Sequence, residues 1–199
     1  MRVLVACECS GRVRDAFRAR GHDAVSCDLK PSATDGPHIQ GDCLKVLNTD
    51  FWDMLIAFPP CTYLSCATPL NHDPDPERAI LQHEAVKFFF ALYHAPIDRI
   101  CVENPQGMIN GIKKPTQRID PFLFGEPICK RTYLWLRGLP PLYPTKVVRP
   151  CQDKTERWWN SGGRKGRQAS RAVTFQGVAE AMAEQWGQIK QPWLSPLGI

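Results

Sequence analysis

Short apolar runs and amphipathic stretches alternate along this 199-residue chain. Arg2 to Ala6 (RVLVA), Met54 to Phe58 (MLIAF) and Arg99 to Val102 (RICV) are continuous runs, and each reads as a strand buried on both faces. After the first, Val13, Ala16 and Phe17 recur at helical spacing with arginines between them, and Gly21 closes the helix. Ala24 to Cys27 is then a second strand. Strand, turn, helix and strand make a βαβ unit with a right-handed crossover, so the expected fold class is α/β with a mostly parallel sheet.

Further on, residues 29–41 carry Pro31, Gly36, Pro37 and Gly41 and read as loop, and Thr68 to Pro76 has the polar composition of a lid. The pattern predicts a helix over Glu77 to His94, with Ile80, Leu81, Ala85, Phe88, Phe89 and Leu92 facing the core. Residues 105–131 are loop-rich, and Thr132 to Leu136 is a strand. A last helix carries Val178, Ala181, Met182 and Trp186, with Thr174 as a candidate cap.

Composition makes this an ordinary globular chain, 43% hydrophobic and 23% charged, sized for one core. No run approaches the roughly 18 apolar residues of a membrane span, and the N-terminus enters a strand without a leader's layout, so a cytoplasmic location away from membranes is expected. The nine cysteines are odd in number, and Cys7, Cys27 and Cys101 lie in apolar runs, which suits a reducing compartment. The Cys7-x-Cys9 and Cys61-x4-Cys66 spacings match no closed zinc site, so no metal is expected.

Charge is the first departure from the ordinary. The net charge is +5, yet Lys146 to Arg171 holds eight basic residues against two acids, a net of +6. Within it, Trp158 to Arg167 is glycine-rich and cationic with flanking aromatics, so Arg164, Lys165 and Arg167 are candidate phosphate contacts and a polyanion is the expected partner.

The candidate chemistry sits where apolar runs stop. Pro59-Pro60 ends the second run, since neither proline has an N–H to donate, and presents Cys61 at a strand's carboxyl end, where open α/β sheets place ligands. Glu103 follows the third run. Taken alone, Cys61 is a buried thiol starting a loop and Glu103 a solvated acid, but both fall on one rim of the sheet. Arg131, just before the aromatic strand, is by default an edge charge facing water. Ser10-Gly11 forms the turn after the first strand, and Asp28 follows the second as a carboxylate placed for a ribose hydroxyl. With one glycine in that turn and no G-x-G-x-x-G, an adenosine-type cofactor without pyrophosphate is preferred to a dinucleotide. Asp42 by itself is a helix cap.

In their order, Ser10-Gly11, Asp28, Gly41-Asp42, Pro59-Pro60-Cys61, Glu103-Asn104 and Arg131 resemble the DNA cytosine-C5 methyltransferase family, particularly its compact phage and prophage members. Pro-Pro-Cys followed about 40 residues later by Glu-Asn, both after buried strands, is the most specific part. The resemblance implies a Rossmann-like sheet of the S-adenosylmethionine-dependent methyltransferase type, with a reduced or absent target-recognition domain. Residues 1–140 would form the cofactor-binding catalytic core, 141–172 a basic nucleic-acid-contact segment, and 173–199 a helix completing the core. It implies S-adenosyl-L-methionine as cofactor, with Asp28 on the ribose, Asp42 on the adenine amino group, Ser10-Gly11 near the methionine end, and Pro59 in the same pocket. Cys61 would add to cytosine C6, Glu103 would hold N3 and the exocyclic amine, and Arg131 would steady O2.

The chain departs from the family's pattern at Cys9, Val13, Thr62 and Cys129, and short or relaxed target specificity is expected of so small a protein. DNA is the expected partner, duplex with a flipped cytosine or single-stranded, and a monomer the expected state, with a dimer as the other possibility. An RNA or tRNA cytosine-C5 methyltransferase shares the catalytic set, and a non-catalytic nucleic-acid-binding protein could keep the fold. An amino-methyltransferase is disfavoured, because Phe58 cannot accept a hydrogen bond from an amine.

Overall fold

A computed structural model describes residues 1–65, 76–150 and 173–189. Strand β1 (Arg2–Ala6) lies inside the sheet, because its apolar run has no polar face to turn to water; Val3 to Ala6 are fully buried. It pairs in parallel with β2 (Asp23–Asp28) on one side and β4 (Met54–Ala57) on the other, with Val5 opposite both Ser26 and Ile56. Outside β2 lies a short β3 (His38–Gln40), and outside β4 lies β5 (Arg99–Asn104), both parallel. The sheet closes with β7 (Thr132–Arg137) antiparallel to β5 and β6 (Gln117–Ile119) antiparallel to β7, in the order β3-β2-β1-β4-β5-β7-β6. The mostly parallel α/β sheet expected from the sequence is present.

Alternation along the central strands divides the core in two. Val3, Val5, Met54, Ile56 and Cys101 pack with α1 (Arg12–Arg18) and α5 (Gln176–Gly187) on one face. Leu4, Ala6, Leu55, Ala57, Ile100 and Val102 share the other with Phe89 and Leu92 of α3 (Pro76–Tyr93) and with Cys43 and Val46 of α2 (Cys43–Val46). Among the described residues no helix is long and apolar enough to cross a membrane.

Several expectations are corrected. Residues 38–40 of the expected loop are a strand, too short to leave a periodic signal and stabilised by its ladder with β2. In 105–131 the structure has α4 (Met108–Ile112) and β6. Ile80 and Leu81 do not face the core; they are 63% and 38% exposed, because only the C-terminal part of α3 is buried. The residue capping α5 is Phe175, not Thr174, and no side chain caps it. Of the lid expected over Thr68 to Pro76, residues 68–75 lie outside the described residues and Pro76 opens α3.

The arginines of α1 are not equivalent. Arg14 is fully buried and binds Ser26 Oγ at 3.2 Å, Ser32 Oγ at 3.1 Å, Thr34 Oγ1 at 2.7 Å and the Asp35 carbonyl at 2.8 Å, with Asp15 paired to its Nε at 2.7 Å. It therefore rivets the 32–36 loop to helix and sheet. Gly11, at φ 74, leaves the space: a Cβ there would lie 2.4 Å from the guanidinium. Arg14→Ala strands these acceptors, and we expect a loss of about 3–5 kcal/mol, read by denaturant unfolding; a loss under about 1 kcal/mol contradicts the rivet.

Candidate active site

The two candidate catalytic residues, Cys61 and Glu103, are delivered by neighbouring parallel strands. The register sets Ala57 opposite Val102, so the chain leaves β4 beside Glu103. Phe58 still donates to Ala6 O at 3.0 Å, and then Pro59 and Pro60 end the ladder. The Cys61 carbonyl accepts from Leu64 N at 3.0 Å and Ser65 N at 2.9 Å, closing a turn that leaves Cys61 exposed on the rim.

That turn is tied to the end of β5 at two points. Asn104 is buried and its Nδ2 donates to the Pro59 carbonyl at 3.0 Å, while its Oδ1 has no partner among the described residues. A buried amide with an unsatisfied oxygen is a costly core residue, so its contribution is the bond it makes to the proline turn. Beyond it, Met108 N donates to Leu64 O at 2.8 Å and Ser65 bridges Gly107. Gly107 is there because the chains touch: a Cβ would lie 1.8 Å from the Leu64 oxygen. Gly107→Ala must push the Cys61 turn away, and we expect a cost of about 1–3 kcal/mol with a fall in turnover larger than the change in substrate KM. Wild-type kinetics in that variant would remove the clamp from the account.

Glu103 lies within β5, opposite Leu134, rather than in the loop beyond it. It is partly buried, and loss of hydration raises its carboxyl above the usual range, against the pull of Lys130 and a hydrogen bond with Thr132. Arg131 is exposed and acts instead on Asp120, whose carboxyl burial raises and Arg118 and Arg131 lower. Lys130, with its ammonium 5.5 Å from the centre of the Phe175 ring, is a cation whose charge acts on Glu103. The structure brings Cys61 and Glu103 to one rim and leaves Arg131 exposed, with its charge acting on Asp120.

The other half of the rim is formed by the ends of β1 and β2. Asp28 and Asp42 meet because β3 runs beside β2: Asp28 is opposite Gln40, and Gly41 N donates to Asp28 O at 2.9 Å. Each carboxylate accepts one backbone N–H through Oδ1, from Lys30 and from Leu44, both at 2.9 Å, so Asp42 does cap α2. Among the described residues no hydrogen bond goes to the second oxygen of each, which can accept from a diol or an amino group, an acceptor set that fits an adenosine. Ser10 is set by Glu8, a buried acid the sequence reading passed over, which accepts Ser10 Oγ and Val13 N, both at 2.9 Å. Burial raises the Glu8 carboxyl, and those bonds oppose the rise. Gly11 and Pro59 are buried beside these groups.

Neither a family model nor a curated protein matches the chain. Among solved structures, it is similar to the methyltransferase EhMeth of Entamoeba histolytica, with TM-score 0.49 and 16% identity over 74% of this chain and 57% of that one. It is also similar to the Dnmt2 methyltransferase of S. pombe, with TM-score 0.46 and 17% identity over 83% of this chain and 57% of that one. The chain thus spans little more than half of either.

A cavity of about 580 Å³ opens between α1 and α5, lined by Ser10, Arg12, Asp15, Thr34, Gln176 and Glu180 among others. It reaches the first turn at Ser10 and includes none of Asp28, Asp42, Cys61 and Glu103, so the site rests on the rim geometry. Arg164, Lys165 and Arg167 lie outside the described residues. Of the residues the sequence reading did not single out, Asn104 had a signal in its place after Glu103. Arg14, Gly107, Lys130 and Thr132 had none, since each acts through a partner distant in sequence, whereas Glu8, which binds Ser10 and Val13, had one in its place just before the first helix.

Proposed function

We propose that this chain is a DNA cytosine-C5 methyltransferase that uses S-adenosyl-L-methionine and works on a cytosine turned out of the stack. The observation that supports it is the meeting of an exposed thiol and a raised carboxyl at the ends of adjacent parallel strands, with two carboxylates on the same rim. The cofactor, held by Asp28 and Asp42 with Ser10-Gly11 and Pro59 near its other end, supplies an electrophilic methyl group. Cytosine C5 is too weak a nucleophile to take it unaided. The Cys61 thiolate adds to C6 and makes C5 enamine-like, and Glu103, protonated, gives N3 the proton that lets the ring accept the addition. Lys130 and Thr132 orient that carboxyl and stabilise charge developing at the ring. The target carbon is inaccessible inside a duplex, so the base is flipped. The basic segment 141–172, with Arg164, Lys165 and Arg167, is proposed to hold the phosphate backbone.

The test is trapping. The protein is incubated with S-adenosylmethionine and DNA carrying 5-fluorocytosine, whose C5 fluorine blocks the elimination that releases the enzyme. We expect a covalent adduct on a denaturing gel that needs both cofactor and Cys61. An adduct with matching RNA alone would move the substrate to RNA, and none with duplex DNA, single-stranded DNA or RNA would sink the nucleophile assignment.

A further inference from the structure

Three cysteines lie beside the two acids on the cofactor half of the rim. Cys7 follows β1, Cys27 precedes Asp28 in β2, and Cys43 follows Asp42 as the first residue of α2. Cys7 Sγ and Cys43 Sγ are 3.8 Å apart, in contact across 36 positions of sequence. Cys27 is engaged elsewhere, its thiol 3.5 Å from the Gly41 carbonyl. Cys7 has φ 58, left-handed backbone that a non-glycine residue holds only where its surroundings impose it, and it is the single such residue among those described. It is also partly accessible, whereas Cys27 and Cys43 are buried, so the pair has one side open to small solutes.

We propose that Cys7 and Cys43 are a redox pair that closes to a disulfide on exposure to a peroxide and thereby weakens cofactor binding; the second clause rests on the cofactor reading above. The contact polarises the pair. Either sulfur can donate across the contact; with the proton on Cys7, the Cys43 pKa is lowered and that of Cys7 raised, and burial of Cys7 adds to the rise. Burial, with Cys43, Asp28 and Asp42 nearby, pushes Cys27 up to about 12 and keeps it a thiol. Cys43 is therefore the attacking sulfur.

Its thiolate attacks the O–O bond of hydrogen peroxide and keeps one oxygen as a sulfenic acid, while hydroxide leaves and is protonated to water. Cys7 then loses its proton and attacks the Cys43 sulfur, and the S–O bond breaks with release of a second water. Two thiols have given up two electrons, and one peroxide has become two waters.

A disulfide requires about 2.05 Å between sulfurs, so the pair must close by roughly 1.8 Å. That movement acts on the residue next to Asp42, at the start of a helix only four residues long. Asp42 is pulled toward β1 and away from an adenine amino group, and a hydrogen bond at the rim is lost.

The experiment uses the full chain carrying Cys61→Ala, so that the exposed rim thiol takes no part. Protein is treated with hydrogen peroxide, and intact mass, peptide mapping and calorimetric titration with S-adenosylhomocysteine are read before treatment, after it, and after dithiothreitol. We expect a mass loss of about 2 Da, a Cys7–Cys43 linked peptide, and an affinity lowered by about tenfold or more and restored by reductant. Cys7→Ser and Cys43→Ser should each abolish the linked peptide and the oxidative drop. No linked peptide between these two cysteines in the peroxide-treated chain that retains both overturns the pair. A linked peptide with affinity unchanged within about twofold overturns the consequence for the cofactor. Failure of the reduced protein to bind S-adenosylhomocysteine overturns the cofactor reading and that consequence with it, while the linked peptide still decides the pair.

Discussion

Cys61→Ala is expected to abolish methyl transfer, with a fall of about 10⁴-fold or more, and to leave no trapped adduct on 5-fluorocytosine DNA. The size follows from the chemistry. Without addition at C6 the pyrimidine keeps its aromatic character, and no placement of methyl donor against C5 compensates for a carbon that will not attack. The fold should be indifferent, because Cys61 is exposed and its truncation opens no cavity. Thermal unfolding within about 0.5 kcal/mol of the parent and unchanged S-adenosylhomocysteine binding are therefore part of the expected result. A variant that keeps more than about a tenth of the parent rate would remove covalent catalysis from the mechanism.

Glu103→Ala is expected to lower the rate by about 10²–10⁴-fold, with adduct formation falling in step. The acid must be protonated when the thiolate adds, and burial raises its pKa, so the protonated form persists above the ordinary carboxylate range. Activity that depends on that proton is complete below the raised pKa and declines as pH rises through it. The rate profile should show this descending limb, and Glu103→Gln should lack it. Lys130 lowers the Glu103 pKa, so Lys130→Met should move the limb to higher pH. Arg131→Met, acting on Asp120 instead, should move it less. A limb that ignores Lys130 and follows Arg131 would return Arg131 to the base-side role implied by resemblance.

Much of this protein is visible in its sequence, for reasons that can be named. Runs such as Val3-Leu4-Val5-Ala6 and Met54 to Ala57 have no polar face, so they can only be strands with helices on both sides. The prolines after Phe58 end β4, and the polar residues after Val102 mark the last positions of β5 at the same edge, which is why Cys61 and Glu103 could be set on one rim before any coordinates. The helices α1, α3 and α5 follow from spacing, and Gly21, at φ 80, ends the first.

What stayed hidden depends on contacts between residues far apart in the chain. Arg14 reads as one of several helix arginines, and only the packing of α1 against β2 and the 32–36 loop buries it. β3 is three residues whose strand character comes from β2, yet it carries Asp42 to Asp28. The overhang of Ile80 and Leu81 is a matter of where α3 meets the sheet, which its own periodicity does not contain. By itself, then, the sequence determined the longer strands, the helices α1, α3 and α5, and the edge where the candidate chemistry gathers, because hydrophobic runs and prolines act locally. Only the tertiary structure decided which groups act on Glu103, which glycine lets the Cys61 turn sit against β5, and which two thiols touch, because those outcomes are set by register and close packing between segments dozens of residues apart.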